Sequence, residues 1–207
     1  MNAADFLDRV RQEQQTELSR LGSSKSLYAD TEGEMAEDPV LAAVADVFYH
    51  ADATFEDWAD GTDGAPGDLF SDAAAMAGEQ YGTVAGERGS HEPDAPAPID
   101  EHLRGLDTTP ERVAGSLGWA LVVENKASQA VGFFVGQAAP GTASTVRDVR
   151  DAVDAVVDDA VDALVAVCDT EDDEDLAHQA AVDTIQAAYD DYFDTLEALG
   201  VNPKPVC

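Results

Sequence analysis

The sequence predicts an all-α protein, an up-and-down bundle of about six helices that are mostly antiparallel to their neighbours. Apolar residues recur every three or four positions over six long segments, which is the period of a buried helix face. No segment alternates apolar and polar residues with the period of two that is typical of a strand. Glycine, proline and aspartate separate the segments, and the mostly short connections favour antiparallel neighbours.

The first half of the chain predicts three helices. The second begins at Asp38, because aspartate is a good helix cap and the following Pro39 suits the first turn. The run DGTDGAPGD separates it from an alanine-rich third helix. A long loop follows, with one helical turn near residues 99–103. The predicted helices cover residues 3–28, 38–59 and 69–85.

The second half predicts three more helices. The fourth begins with Thr109 as cap and Pro110 in the first position. The fifth is rich in valine, but its period of 3.6 residues outweighs the strand preference of β-branched side chains. The sixth begins near Thr170 and ends before Gly200. The predicted helices cover residues 109–137, 145–168 and 170–199.

We expect one domain in which residues 1–137 form the bundle core and residues 138–207 a C-terminal helical hairpin packed on it. The valine face of the predicted fifth helix, together with the sixth, has two interpretations. It either completes the core or forms a homodimer interface. Its apolar residues are Val153, Val156, Val157, Val161 and Leu164.

The formal net charge of -32, from 43 acidic against 11 basic residues, is far outside ordinary globular composition. Such charge is typical of proteins that work in molar salt, where a Debye length of about 3 Å removes most of the repulsion. The chain offers no basic patch for a nucleic acid or an anionic membrane surface. With no signal-peptide pattern at the N-terminus, we expect a cytoplasmic protein.

Cysteine use indicates no disulfide scaffold. Cys168 and Cys207 match no metal spacing with each other, and we expect Cys168 to be a small core residue. We assign no chemistry to Cys207. The sequence has no glycine-rich phosphate loop, and we predict neither a nucleotide nor haem as cofactor.

Three polar side chains fall inside predicted helices where a bundle core is expected. Glu17 and Glu124 lie on the apolar stripes of the first and fourth helices, and His50 lies inside the second. A buried charge needs a partner, and a metal is one such partner. Bundles with a dinuclear site use a Glu from each of two helices and a Glu-x-x-His from each of two others. Here Val47 stands in the Glu position before His50.

The segment VFYHADATF resembles the rubrerythrin helix that reads Glu-x-x-His-Ala-x-x-x-Phe, and AGEQY is similar to a rubrerythrin metal helix. The first helix, from Glu17-Leu18 to Leu27-Tyr28, also resembles acidic haloarchaeal members of that family. The resemblance covers about residues 1–137 and implies a ferritin-like bundle. It implies Glu17, His50, Glu79 and Glu124 as ligands of an altered di-iron or manganese site in peroxide or oxygen chemistry. A rival alignment makes Ala77 and Gln80 the remnants of a lost Glu-x-x-His.

The alternative function is a non-catalytic helical scaffold or interaction protein with a degenerate metal site. Val47 favours it, as does the lack of the Cys-x-x-Cys pairs that a rubredoxin-type iron centre requires.

Each predicted ligand also has a structural interpretation. Glu17 pairs with an arginine or accepts hydrogen bonds, and Glu124 is exposed by a small helix rotation. His50 pairs with Asp46 one turn earlier, and Glu79 faces solvent. The remaining histidines are predicted to be solvated surface residues: His91, His102 and His178.

Overall fold

A computed structural model describes residues 2–204, and this part of the chain holds nine helices and no strand. The all-α class is therefore confirmed, whereas the predicted count of about six helices is too low. The extra helices arise from a division of the predicted first helix and from a short helix in the predicted long loop. The helices are α1 (Ala3–Glu13), α2 (Gln15–Leu21), α3 (Ser24–Asp30), α4 (Glu37–Ala59), α5 (Ala65–Arg88), α6 (Pro98–Arg104), α7 (Thr109–Gly136), α8 (Pro140–Val167) and α9 (Glu171–Ala198).

The single helix predicted over residues 3–28 is wrong, because the chain breaks at Gln14 and again at Gly22. At the second break the Ser23 hydroxyl donates to the carbonyl of Arg20 at 2.6 Å. A Cβ at Gly22 would lie 2.9 Å from Asn125 Oδ1, so α7 approaches the main chain closely here. Periodicity does not detect such breaks, since three short helices on one surface keep the same apolar spacing.

The other helices begin and end at local sequence signals, within a few residues of the predicted positions. Thr108, not Thr109, caps α7, and the Glu111 carboxylate accepts from the Thr108 amide at 2.8 Å to complete a capping box. Helix α8 begins at Pro140, five residues before the predicted start, because proline suits the first turn. The cap of α9 at Thr170 is confirmed.

Helix α7 is the centre of the packing. Every residue from 113 to 123 is buried, since α8 and α9 both pack along α7. Helix α5 packs along α4 and α8, while α2, α3 and α6 pack against α9. In the described chain α8 and α9 make their main contacts with these helices rather than with each other. The residues 138–204 are therefore integrated with the rest of the core.

The valine face of α8 completes the core. Val153, Val156, Val157 and Leu164 are buried within the chain, and Val161 packs against them as a partly buried residue. Because these side chains are buried within one chain, the first of the two interpretations holds for this face, which completes the core. The homodimer stays a prediction, and it needs another surface.

Over residues 2–204, no helix combines the length and the apolar content needed to cross a bilayer. The uncharged stretch of residues 127–146 is divided between α7 and α8 by the short connection at residues 137–139. This stretch therefore forms the end of one helix, a short turn and the start of the next helix.

Candidate functional site

A cavity of about 310 Å³ lies where α3, α4, α6, α7 and α9 meet. Apolar side chains make up most of its wall. They include Leu27, Val44, Val47, Phe48, Ile99, Val122 and Val123. Cavities of this size with a mainly apolar lining and a few polar groups are where proteins bind small molecules.

Helix α7 supplies one wall of the cavity through Trp119, Val123, Lys126 and Ala130. Their spacing of four, three and four residues places them on one helix face. Trp119 is fully buried, and its indole N–H has no hydrogen-bond partner among residues 2–204. Phe48 packs edge-to-face on its ring, with ring centroids 6.0 Å apart. A buried donor without a partner is uncommon, and this one is shielded from solvent, so a ligand acceptor would reach it only after neighbouring side chains moved.

Lys126 is the cationic group of the cavity. Its ammonium nitrogen lies 2.7 Å from Asp30 Oδ1, and about one fifth of each side chain is exposed (20% and 18%). Burial lowers the pKa of Lys126, but the carboxylates of Asp30, Asp191 and Asp100 outweigh it and raise the pKa above its usual value. The amine therefore stays protonated at neutral pH, which removes it as a nucleophile or Schiff-base lysine.

Two further carboxylates line the cavity near Lys126. Burial raises the pKa of Asp100, although a hydrogen bond from the Ala97 amide at 2.9 Å opposes that shift. Burial also raises the pKa of Asp191, against the attraction of Lys126. The carboxylates of Asp30, Asp100 and Asp191 thus lie around one ammonium group, and those of Glu32 and Asp46 also line the cavity.

His50 is buried at the cavity wall, and both of its ring nitrogens are occupied. Nε2 lies 2.9 Å from the carbonyl oxygen of Asp94, and the Arg104 guanidinium lies 3.3 Å from Nδ1. Since a guanidinium can only donate, Nδ1 accepts and the proton is on Nε2, which donates to the carbonyl. His50 therefore helps to hold α6 and its preceding loop against α4.

Asp46 does not pair with His50, so that structural interpretation is wrong. It accepts instead from His91 Nε2 at 2.8 Å and from the Asp94 amide at 3.0 Å. The His91 side chain is only 1% exposed, and the Arg88 guanidinium lies 2.6 Å from its Nδ1. The prediction that His91 is a solvated loop residue is also wrong, because these bonds fix the loop over α4.

The three predicted glutamate ligands lie on other surfaces of the bundle. Glu17 and Glu124 are half-buried on α2 and α7, two helices that pack together, and Glu79 is exposed on α5. None of the three lines the cavity. Neither Glu17 nor Glu124 forms an ion pair with an arginine within residues 2–204. Over the same residues, no group of three or more His, Cys, Asp or Glu is placed to hold a metal ion.

Three further expectations concern single side chains. His178 is buried rather than solvated, with Nε2 3.1 Å from Glu13 Oε2, and burial lowers its pKa. His102 lies in α6, and its Nε2 is shielded from solvent. Cys168 is buried as predicted, and burial raises its thiol pKa to about 11. Cys207 lies outside the described residues.

Among the polar residues of the cavity wall, His50 is a candidate predicted from the sequence, whereas Lys126, Asp100 and Asp191 are not. Lys126 is one of three lysines in the chain, and it lies on the apolar stripe that contains Trp119 and Val123. A rare lysine on an apolar helix face indicates a buried charge, and this signal could have located the cavity from the sequence. Asp100 and Asp191 carried no signal, because they are two of many aspartates and only the packing of α6 and α9 buries them.

Comparison of the chain with protein-family models, with curated proteins and with solved structures gives no match. The rubrerythrin resemblance therefore stays a prediction that rests on the quoted segments of α4, α5 and the first three helices.

Proposed function

We propose that the chain is a non-catalytic helical protein that binds a small, largely apolar molecule in the cavity between α4 and α7. The cavity itself carries the proposal, because it has the volume and the mostly apolar lining of a ligand pocket. Its few polar groups come from different helices and converge on the cavity. Such an arrangement can orient a bound ligand.

Three polar groups of the cavity, those of Lys126, His50 and Asp100, support binding rather than catalysis. Lys126 is kept protonated by its carboxylate neighbours, and both nitrogens of His50 have partners. General base or nucleophilic chemistry needs a group that can take a proton or attack a substrate. Asp100 is engaged by a backbone amide, which favours a structural role for it.

The altered di-iron or manganese site implied by the rubrerythrin resemblance is the competing function. The four predicted ligands do not fit that group as they are folded. His50 would have to give up a hydrogen bond to coordinate a metal, and Glu79 is exposed on a helix away from Glu17. Peroxide or oxygen chemistry at such a site stays a prediction, and so does the ferritin-like assignment of the bundle.

Metal analysis separates the two functions. We expect the protein purified in about 1 M KCl, where the Debye length is about 3 Å, to hold no stoichiometric iron or manganese by mass spectrometry after reconstitution with ferrous iron. About two metal ions per chain, lost in His50→Ala but retained in the matched variant His178→Ala, would instead establish the di-metal site and refute the non-catalytic proposal.

Filling the cavity is expected to abolish ligand binding. Ala43 lines the cavity on α4, and Ala43→Phe places a ring in the space that a ligand would occupy. The probe is N-phenyl-1-naphthylamine, an uncharged dye whose emission rises in apolar surroundings. We expect saturable binding by the unaltered protein and at least about tenfold weaker binding, or about 1.4 kcal/mol, by Ala43→Phe.

Ala53→Phe is the matched control for this test. Ala53 lies on the same helix but is exposed and does not line the cavity. We expect the control to bind the dye like the unaltered protein. Equal binding by Ala43→Phe and Ala53→Phe, with both variants folded by circular dichroism, would place the dye elsewhere and overturn the proposed function.

A further inference from the structure

We infer that the molecule bound in this cavity carries a protonated amine, which lies beside Asp191, on an apolar body. The inference rests on the proposed function and names the chemical class of the ligand. It depends on three observations within residues 2–204. Carboxylates outnumber cations in the cavity wall, Asp191 has no hydrogen-bond partner, and the indole N–H of Trp119 has none either.

The charges that line the cavity leave an excess of carboxylate. Asp30 is paired with Lys126 at 2.7 Å, while Asp100 and Asp191 also line the cavity. The charged groups that act on the pKa of Asp191 are Lys126, Asp30 and the neighbouring Asp194. One ammonium cannot neutralise this set, so an added cation gains more from the cavity than an added anion.

Asp191 is the carboxylate best placed to receive the amine. Asp30 is already bonded to Lys126, and Asp100 accepts from the Ala97 amide. Of the other two lining carboxylates, Asp46 accepts from His91 and from the Asp94 amide, and Glu32 is exposed. Asp191 forms no hydrogen bond and no ion pair with any residue from 2 to 204, although it is half-buried. A carboxylate held out of water without a partner costs free energy, and a bound ammonium group would remove that cost.

Trp119 supplies an independent indication of a ligand. The indole is fully buried at the cavity wall, and its N–H has no partner within the described residues. Because the N–H is shielded from solvent, an oxygen acceptor on the ligand, such as an ether or a carbonyl, would gain this hydrogen bond only if side chains of the wall moved aside. The field of a chain with net charge -32 also concentrates cations at its surface.

Three probes of equal length test the class of ligand: hexylamine, 1-hexanol and hexanoate. Each is titrated by calorimetry and by displacement of N-phenyl-1-naphthylamine in about 1 M KCl, where surface charges are screened within about 3 Å. We expect hexylamine to bind about tenfold more tightly than 1-hexanol, and hexanoate to bind most weakly.

Asp191→Asn tests the residue, with Asp194→Asn as the matched control. Both changes remove one negative charge from α9, but Asp194 is exposed and does not line the cavity. We expect Asp191→Asn to lose the tenfold preference for the amine while the dye still binds. The same variant should melt at a higher temperature without ligand, because it removes a carboxylate that burial disfavours. Asp194→Asn should keep the amine preference.

The outcomes separate this inference from the proposed function. If 1-hexanol binds as tightly as hexylamine, or hexanoate binds best, the amine inference is wrong, while a cavity that binds the dye stands. If Asp191→Asn still prefers the amine, the amine inference is also wrong, because the preference would then come from the net negative charge of the whole chain. If the dye itself binds Ala43→Phe as well as the unaltered protein, the proposed function fails first.

Discussion

Replacing Gly118 by alanine is expected to lower the free energy of unfolding by about 2–3 kcal/mol. A Cβ at this position would lie 2.8 Å from the carbonyl oxygen of Ala181 and 2.9 Å from Thr184 Cβ. Helix α9 packs along α7 at this point, and its main chain cannot move away without loss of contacts on both sides. The melting temperature should fall by about 5–10 °C.

Gly132→Ala is the matched control for Gly118→Ala. Gly132 lies on the same helix, is exposed, and a Cβ there would meet nothing within 4 Å. We expect this variant to gain up to about 1 kcal/mol from helix propensity alone. Thermal and urea unfolding of both variants measure the difference. Equal stability of the two would mean that α7 and α9 do not make their close approach at Gly118.

Lys126→Met is expected to destabilise the protein by about 2–3 kcal/mol at neutral pH. Methionine keeps most of the volume of the lysine stem, so the packing of α7 is retained. What is lost is the ammonium that faces the carboxylates of Asp30, Asp100 and Asp191. Asp30 and Asp191 then lose the cation beside them, while Asp100 keeps the attraction of Arg104.

The pH dependence of this effect has a definite sign. Burial raises the pKa of Asp100 and Asp191 in the folded chain above the unfolded values, near about 3.9. The ionised forms therefore cost stability, and the cost appears as the pH rises through the folded pKa values. Loss of Lys126 enlarges that cost. The stability difference between Lys126→Met and the unaltered protein should shrink as the pH is lowered towards 4 and be greatest at neutral pH.

Lys204→Met is the control, because it removes the same charge from an exposed position. It should change stability little at any pH, and it corrects for the general repulsion of so acidic a chain. Urea unfolding at several pH values in constant high salt makes the comparison. A loss in Lys126→Met that does not depend on pH would show that the lysine acts through packing rather than through these carboxylates.

The ends of the long helices could be predicted because they depend on neighbours in sequence. Thr170 bonds to Asp173 three residues later, and the positive φ of 73° at Gly200 follows the end of α9. The three short helices before residue 31 could not be predicted in this way. At their second break Gly22 lies close to Asn125, which is distant in sequence.

The candidate site shows, within one helix, the same difference between what could be predicted from the sequence and what could not. Helix α7 is buried on nearly every side, so it has more than one apolar stripe. The predicted site lies on the stripe that contains Glu124, whereas the cavity lies on the stripe of Trp119 and Lys126. Periodicity ranks faces by their apolar content, and it cannot choose between two faces that are both buried.

By itself, the sequence determined the helical class and the positions of the long helices, because these depend on local capping and on the 3.6-residue period. Only the tertiary structure decided which polar side chains lie together. It joined Asp30, Asp100, Lys126 and Asp191 from four helices, and it gave His50 partners on the loop before α6 and on α6 itself. Charges interact through space, and their partners are set by the packing of helices that are far apart in the chain.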